Sequence, residues 1–285
     1  MARRLAVLIP SRGRPNRVAE TIAAYKKTCQ GDYQICWAFD DDDPTLEECK
    51  AAAGTGDGRS YIWTGPRDGL AGWTNKLWRE LEGEFEYYAS FGDDHLPITH
   101  GWDIRLTTVL DECGGGFAYC DNGQHTPELD WNLPEMCVIS GPILSALGWM
   151  CEPSLLHFNV DSVWHDLGAE ADCLYYVPDV IIRHRHWVFR DGPRDDTYFE
   201  ATLRGREDVI NHGKWQQERM AADAQTVRTA VAKMKAERLW PGTGGSCYSP
   251  SAGSCSALAW GHGWGSTSRL GRGGNNARMG SLQVA

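Results

Sequence analysis

Two short apolar segments of this chain each run straight into a cluster of acids. Tyr33 to Phe39 ends at Asp40-Asp41-Asp42-Asp43, and Glu86 to Phe91 ends at Gly92-Asp93-Asp94-His95. A third run, Leu5 to Ile9, is apolar throughout and stops at the turn Pro10-Ser11-Arg12-Gly13-Arg14-Pro15. A continuous apolar run such as Leu5 to Ile9 fits a strand buried on both faces, the situation of a parallel sheet covered by helices, and the other two segments also read as strands. Helical spacing follows each of them. Val18, Ile22, Ala23 and Tyr25 recur with that period, Pro44 to Ala53 suits a short helix, and Leu70, Trp73, Leu77, Trp78 and Leu81 form a stripe after a strand over Tyr61 to Trp63. Further on, Trp102 to Cys113, Ile143 to Met150 and Val160 to Leu167 read as helices. Phe117 to Cys120, Met136 to Ile139, Cys173 to Val177 and Val180 to Ile182 read as extended. The alternation predicts an α/β domain with a mostly parallel central sheet flanked by helices. Ligands of such sheets bind outside the carboxyl ends of the strands, which is where both acidic clusters fall.

The strand–helix pattern occupies residues 1–190. Residues 191–240 are polar and helix-prone, most clearly Lys214 to Arg238, and are expected to form a helical extension. From Pro241 onward Gly, Ser, Asn and Arg dominate, acids vanish and no periodicity remains, so 241–285 is expected to be a flexible tail.

Charge narrows the partners. Lys and Arg total 28 against 38 Asp and Glu, a formal net charge of -10, which disfavours a general nucleic-acid or membrane-surface coat. No run of about 18 apolar residues is present, and Leu5 to Ile9 is too short for a signal peptide despite Arg3 and Arg4 before it. Membrane insertion is therefore not expected. The ten cysteines include no C-x-x-C pair, so they are expected to be reduced thiols in a cytoplasm, several of them in the core.

Four motifs can carry chemistry. Asp93 and Asp94 at a strand exit can hold a hard divalent cation with room for phosphate oxygens, or form a solvated acidic turn. His184 and His186 in Arg183-His184-Arg185-His186 share a face on an extended backbone, a workable metal-ligand spacing that also occurs as a structural pair. Asp40 to Asp43 is either a solvated loop or supplies an acceptor to a nucleobase or ribose. Asp161 opens an amphipathic helix, either as a first-turn residue favoured by the helix dipole or as a general base. Gly54-Thr55-Gly56-Asp57-Gly58 has no strand before it and reads as a turn rather than a phosphate loop. Some of the thirteen tryptophans have rings that could stack on sugars or bases.

Taken in order, these motifs resemble family 2 glycosyltransferases of the GT-A fold, over roughly residues 5–190. Leu5 to Pro15 looks like the family's opening strand and turn, with Pro10, Ser11 and Arg12 beside the donor nucleotide. Phe39 to Asp43 resembles the stretch that carries the nucleobase-contacting aspartate, here Asp40 or Asp41. Gly69 to Lys76, with Asn75, resembles the segment near the diphosphate. Tyr88 to His95 is similar to the strand and D-x-D metal motif, and Gly101-Trp102-Asp103 follows at the usual distance. Asp161 matches the position of the catalytic base, and His184 that of the histidine completing the metal site. Two departures stand out: His95 takes the place of the second acid of D-x-D, and Val160 precedes Asp161 where the family has Glu. Asp93 then falls to the ribose side and Asp94 to the metal. The resemblance is strongest to small single-domain members common in phage genomes.

The resemblance implies a nucleoside diphosphate sugar donor and Mn²⁺ or Mg²⁺ held by Asp94 and His184, with His186 as a further candidate. It also implies an acceptor hydroxyl deprotonated by Asp161, with inversion favoured. The acceptor class is open between a modified DNA base and a polysaccharide; Arg269, Arg272 and Arg278 in the tail lean towards nucleic acid. A sugar nucleotidyltransferase is the first alternative, but Pro10-Ser11-Arg12-Gly13 lacks its G-x-G-x-R signature. A metal-dependent phosphohydrolase and a non-catalytic nucleotide-sugar binding module are the others.

Overall fold

The computed structural model describes residues 3–54, 58–124, 133–187, 191 and 196–239. The expected tail over 241–285 lies outside them, as does most of the Gly54 to Gly58 turn. The chain alternates as the apolar pattern predicts: β1 (Arg3–Ser11), α1 (Pro15–Thr28), β2 (Tyr33–Asp40), α2 (Leu46–Ala53), β3 (Ser60–Gly65), α3 (Gly69–Glu80) and β4 (Phe85–Ser90). Next come β5 (His95–Pro97), α4 (Trp102–Cys113), β6 (Phe117–Asp121), β7 (Cys137–Ser140), α5 (Gly141–Leu147), α6 (Val160–Glu170) and β8 (Leu174–His184). Two long helices, α7 (Asp196–Glu218) and α8 (Met220–Leu239), complete it.

The sheet order is β3-β2-β1-β4-β7-β6-β8-β5. β1 pairs in parallel with β2 and β4, β2 with β3, and β6 with β8, whereas β7 and β5 run against their neighbours. The period of two along β1 divides the core. Leu5, Val7 and Ile9 face a layer built on α1, α2 and α4, while Ala6 and Leu8 face one built on α3, α5, α6 and α8. Both layers bury large aromatics, Trp37 and Trp102 in the first, Trp78 and Trp164 in the second. α8 packs on α5 and α6, so the polar C-terminal segment covers the sheet rather than standing apart from it. Cys36, Cys49, Cys120, Cys137, Cys151 and Cys173 are buried, and every described cysteine is free.

Three elements differ from the sequence reading. The runs Cys173 to Val177 and Val180 to Ile182 join in the single strand β8. Its register with β6 jumps from Cys120 opposite Val177 to Asp121 opposite Ile181, and the irregularity takes up Pro178, which has no N–H for the ladder. α5 stops at Leu147 because Gly148 turns into the left-handed region at φ 78°. β5 is only three residues long, too short to show a period, yet its pairing places His95 directly opposite His184.

Among the described residues, no helix is long and apolar enough to cross a membrane.

Candidate active site

The β5–β8 ladder assembles the acidic end of the sheet. Asp94 leaves the β4 turn, its carbonyl accepts the Arg185 N–H at 2.9 Å, and its carboxylate folds back over Gly92. A Cβ at residue 92 would lie 2.4 Å from Asp94 Oδ1, so glycine is what lets the carboxylate sit there. Asp94 Oδ2 stands 3.6 Å from His184 Nε2, and Oδ1 stands 3.8 Å from His95 Nε2. Ligand atoms of Asp94, His95 and His184 all lie within 4.8 Å of one another, and the two imidazoles meet at right angles with centroids 4.4 Å apart. His186 reaches the same neighbourhood by another route than the shared strand face expected for it. β8 ends at His184, and the His186 ring lies 5.1 Å from that of His184 but outside the three-residue cluster.

Residues that carry no sequence signal close the cluster. Glu135, just before β7, places Oε2 3.0 Å from His184 Nδ1. Tyr198, in the first turn of α7, donates its hydroxyl to Asp94 Oδ2. The Arg14 guanidinium lies 4.2 Å above the Tyr198 ring, and Arg17 lies 3.9 Å from Asp94 Oδ2.

The electrostatics follow from this crowding. Burial alone would push Asp94 up, but His184, His95 and the Tyr198 hydroxyl hold its carboxyl well below the usual range. Burial opposes charge on His184 too, yet Asp94 and Glu135 raise it to about 10. Burial and then the His184 charge lower His95 and His186 to about 4. One imidazolium thus balances two carboxylates. A divalent cation can take the place of that proton, and a carboxylate with an imidazole is a donor set that Mn²⁺ accepts. The residues present therefore fit the ion that the resemblance implies.

The residues expected on the nucleotide side are distributed unevenly. Pro10 and Ser11 end β1, and Ser11 Oγ donates to Asp93 Oδ2 at 2.6 Å while Arg14 Nη1 donates to Oδ1 at 2.8 Å. Both Asp93 oxygens are thereby engaged within the protein. Asp40 is buried; Oδ1 accepts from Trp73 Nε1 at 2.7 Å and Oδ2 from Arg12 at 3.1 Å. Asp41 is exposed, and its N–H donates to Gly65 O at 2.8 Å. Asp43 is buried and accepts from the amides of Gly13 and Thr45, so the acidic run is only half solvated. Asn75 has a scaffold position: Oδ1 accepts from the amides of Met150 and Cys151, and Nδ2 donates to the Cys151 carbonyl. It ties α3 to the 150–151 turn.

Asp161 lies in the first turn of α6, after Asn159 at φ 64°. Its Oδ1 accepts the neighbouring Ser162 amide at 2.8 Å. Burial, then the nearby Glu135 charge, raises its carboxyl above the ordinary value, with His184 acting the other way. The base candidate therefore shares the electric field of the cation cluster. The loop leading to it is held from α7: buried Asp208 accepts the amides of Leu156, His157 and Phe158 at 2.8–3.0 Å.

A mannosyltransferase of Pyrobaculum calidifontis, solved with GDP-Man and Mn²⁺, superposes with a TM-score of 0.55 at 14% identity, over 83% of this chain and 76% of that one. The fold is that of the GT-A glycosyltransferases. TarS of S. aureus (residues 1–349, solved with UDP-GlcNAc) matches with a TM-score of 0.50 at 12% identity, over 72% of this chain and 66% of that one. No family model and no curated protein sequence matches the chain. Within the GT-A frame, the acidic turn after β4 and the end of β8 lie at the edge of the sheet where such folds bind their ligands.

Proposed function

We propose that this protein is a divalent-cation-dependent glycosyltransferase that moves a sugar from a nucleoside diphosphate sugar to an acceptor hydroxyl, with inversion at the anomeric carbon. The observation that carries this reading is the convergence of Asp94 and His184 beside a carboxylate, Asp161, whose proton affinity is raised. When bound, Mn²⁺ or Mg²⁺ supplies charge neutralisation to the departing diphosphate. Asp94 and His184 would hold it, with His186 a further candidate just past the end of β8.

The remaining roles belong to the protein. Arg14 and Arg17 at the start of α1 supply positive charge beside Asp94, where a diphosphate would sit. The β1 turn of Pro10, Ser11 and Arg12, together with Asp40 and the exposed Asp41, borders the nucleoside, and Asp93 keeps that turn in shape through Ser11 and Arg14. Asp161 takes the proton from the acceptor hydroxyl, and its raised proton affinity suits a general base. The catalytic part is residues 1–190, and α7 completes the site through Tyr198 and Asp208. The neighbours solved with GDP-Man and UDP-GlcNAc support a nucleotide-sugar donor. The buried free thiols fit a reducing cytoplasm.

The full chain incubated with GDP-mannose, UDP-GlcNAc and related donors in Mn²⁺ tests this. The reading expects nucleoside diphosphate release that an acceptor, a polysaccharide or a DNA carrying hydroxymethylated bases, accelerates. Release of nucleoside monophosphate without any acceptor would instead make the protein a phosphohydrolase.

A further inference from the structure

We propose that Glu135 is a positioning residue that makes His184, and not His95, the imidazole donor of the cation site. The inference rests on the cation reading above and deepens it. A neutral imidazole has one N–H and one lone pair, and whatever faces one nitrogen decides what the other can do.

The two histidines of the β5–β8 pair face opposite partners. His184 Nδ1 lies 3.0 Å from Glu135 Oε2, an ionised carboxylate that can only accept. That holds one proton on Nδ1, so the proton a cation displaces is the one on Nε2, which faces Asp94 with Oδ2 3.6 Å away, and the lone pair then uncovered is aimed at the cation site. His95 Nδ1 instead accepts the Gly92 N–H at 2.9 Å. Its proton is then on Nε2, the nitrogen that faces Asp94, and no lone pair remains there for a cation. Proximity alone groups both histidines with Asp94, and hydrogen bonding separates them.

Glu135 is itself held in place. Its Oε2 also accepts from Asn122 Nδ2 at 3.1 Å, the Asn122 carbonyl accepts the His184 N–H at 3.0 Å, and Gln124 Nε2 donates to the His184 carbonyl at 3.2 Å. The turn after β6 and the approach to β7 thus clamp His184 from three sides. A carboxylate behind a ligating histidine orients the ring and raises its basicity, and loss of such a partner lowers metal affinity about 10–100-fold.

The test uses the full chain and Mn²⁺ alone, with affinity read from the free-ion paramagnetic resonance signal. Glu135→Ala should weaken Mn²⁺ binding about 10–100-fold. Glu135→Gln, whose carbonyl can still accept from Nδ1, should recover part of the loss, and Asp94→Asn should abolish binding. In the wild-type chain, long-range proton–nitrogen spectra of labelled histidines should show His184 with its proton on Nδ1 once Mg²⁺ saturates the site. His95 should keep its proton on Nε2 throughout. Unchanged Mn²⁺ affinity in Glu135→Ala, with Asp94→Asn inactive in binding, would overturn the role of Glu135 and leave the cation site standing. Transfer of the His95 proton to Nδ1 on adding Mg²⁺ would overturn the choice of His184 over His95. Wild-type affinity in Asp94→Asn would overturn both the site and this inference.

Discussion

Arg14 reaches across the β1 turn to Asp93, with Nη1 2.8 Å from Oδ1, the Asp93 side chain buried and that of Arg14 9% exposed. The contact joins the end of β1 to the exit of β4, the two segments proposed above to border the donor and the cation. Removing one partner of a buried pair leaves a charge in low dielectric, which costs about 3–5 kcal/mol. Arg14→Ala should therefore lower unfolding stability in urea by about that much. A loss below about 1 kcal/mol would place the pair among solvent-screened contacts.

Asn75 gives its side chain to the amides of Met150 and Cys151. Asn75→Ala strands those donors, and each buried unsatisfied group costs about 1–3 kcal/mol. Thermal unfolding should register the loss, while Mn²⁺-dependent nucleotide affinity in the folded variant stays at the wild-type value. A tenfold fall in that affinity at unchanged stability would return Asn75 to the donor site.

Asp161→Asn preserves size but cannot take a proton. Transfer at saturating donor should fall about 10²–10⁴-fold with donor affinity retained. Because the folded carboxyl is raised, its ionised fraction is lost as pH falls through a value above the ordinary ~3.9. The acid limb of kcat/KM should accordingly lie higher than that of an exposed aspartate, and the variant should lack it. Near-wild-type transfer by the variant would remove Asp161 from the mechanism and point to retention.

Asp166 on α6 accepts from His212 at 3.3 Å and Gln216 at 2.7 Å on α7. Burial would raise it, but His165, His212 and Gln216 hold it below the usual carboxylate range. A depressed carboxyl stabilises the fold at pH values above its unfolded pKa of ~3.9 and loses that contribution as pH falls through the folded value. Asp166→Asn should thus cost on the order of 1 kcal/mol at pH 7, given partial solvent screening, and less at pH 3. Urea midpoints at the two pH values measure the difference, and an equal cost at both would refute the charge argument.

The apolar runs at Leu5 to Ile9 and Tyr33 to Phe39 are legible because strands buried on both faces leave no other pattern, and Gly148 and Pro178 account for the boundaries that moved. β5 is invisible because three residues show no period, although its register sets His95 against His184. Asp94 and His184 are brought together as spacing and resemblance imply, whereas His186 arrives beside them past the end of its strand. Glu135, Tyr198 and Asp208 could not be found. They act through contacts 49, 104 and 50–52 residues away in sequence, and nothing local marks an acid before β7 or a tyrosine and an acid on a polar helix.

Calorimetric titration of GDP and UDP into the full chain, with and without Mn²⁺, compared between wild type and Asp94→Asn, tests the central claim most directly. The account predicts that at least one of the two diphosphates binds wild type only when Mn²⁺ is present, and that Asp94→Asn loses this Mn²⁺-dependent binding while keeping a native circular dichroism spectrum. Binding that is the same with and without Mn²⁺, or that survives Asp94→Asn unchanged, would contradict it.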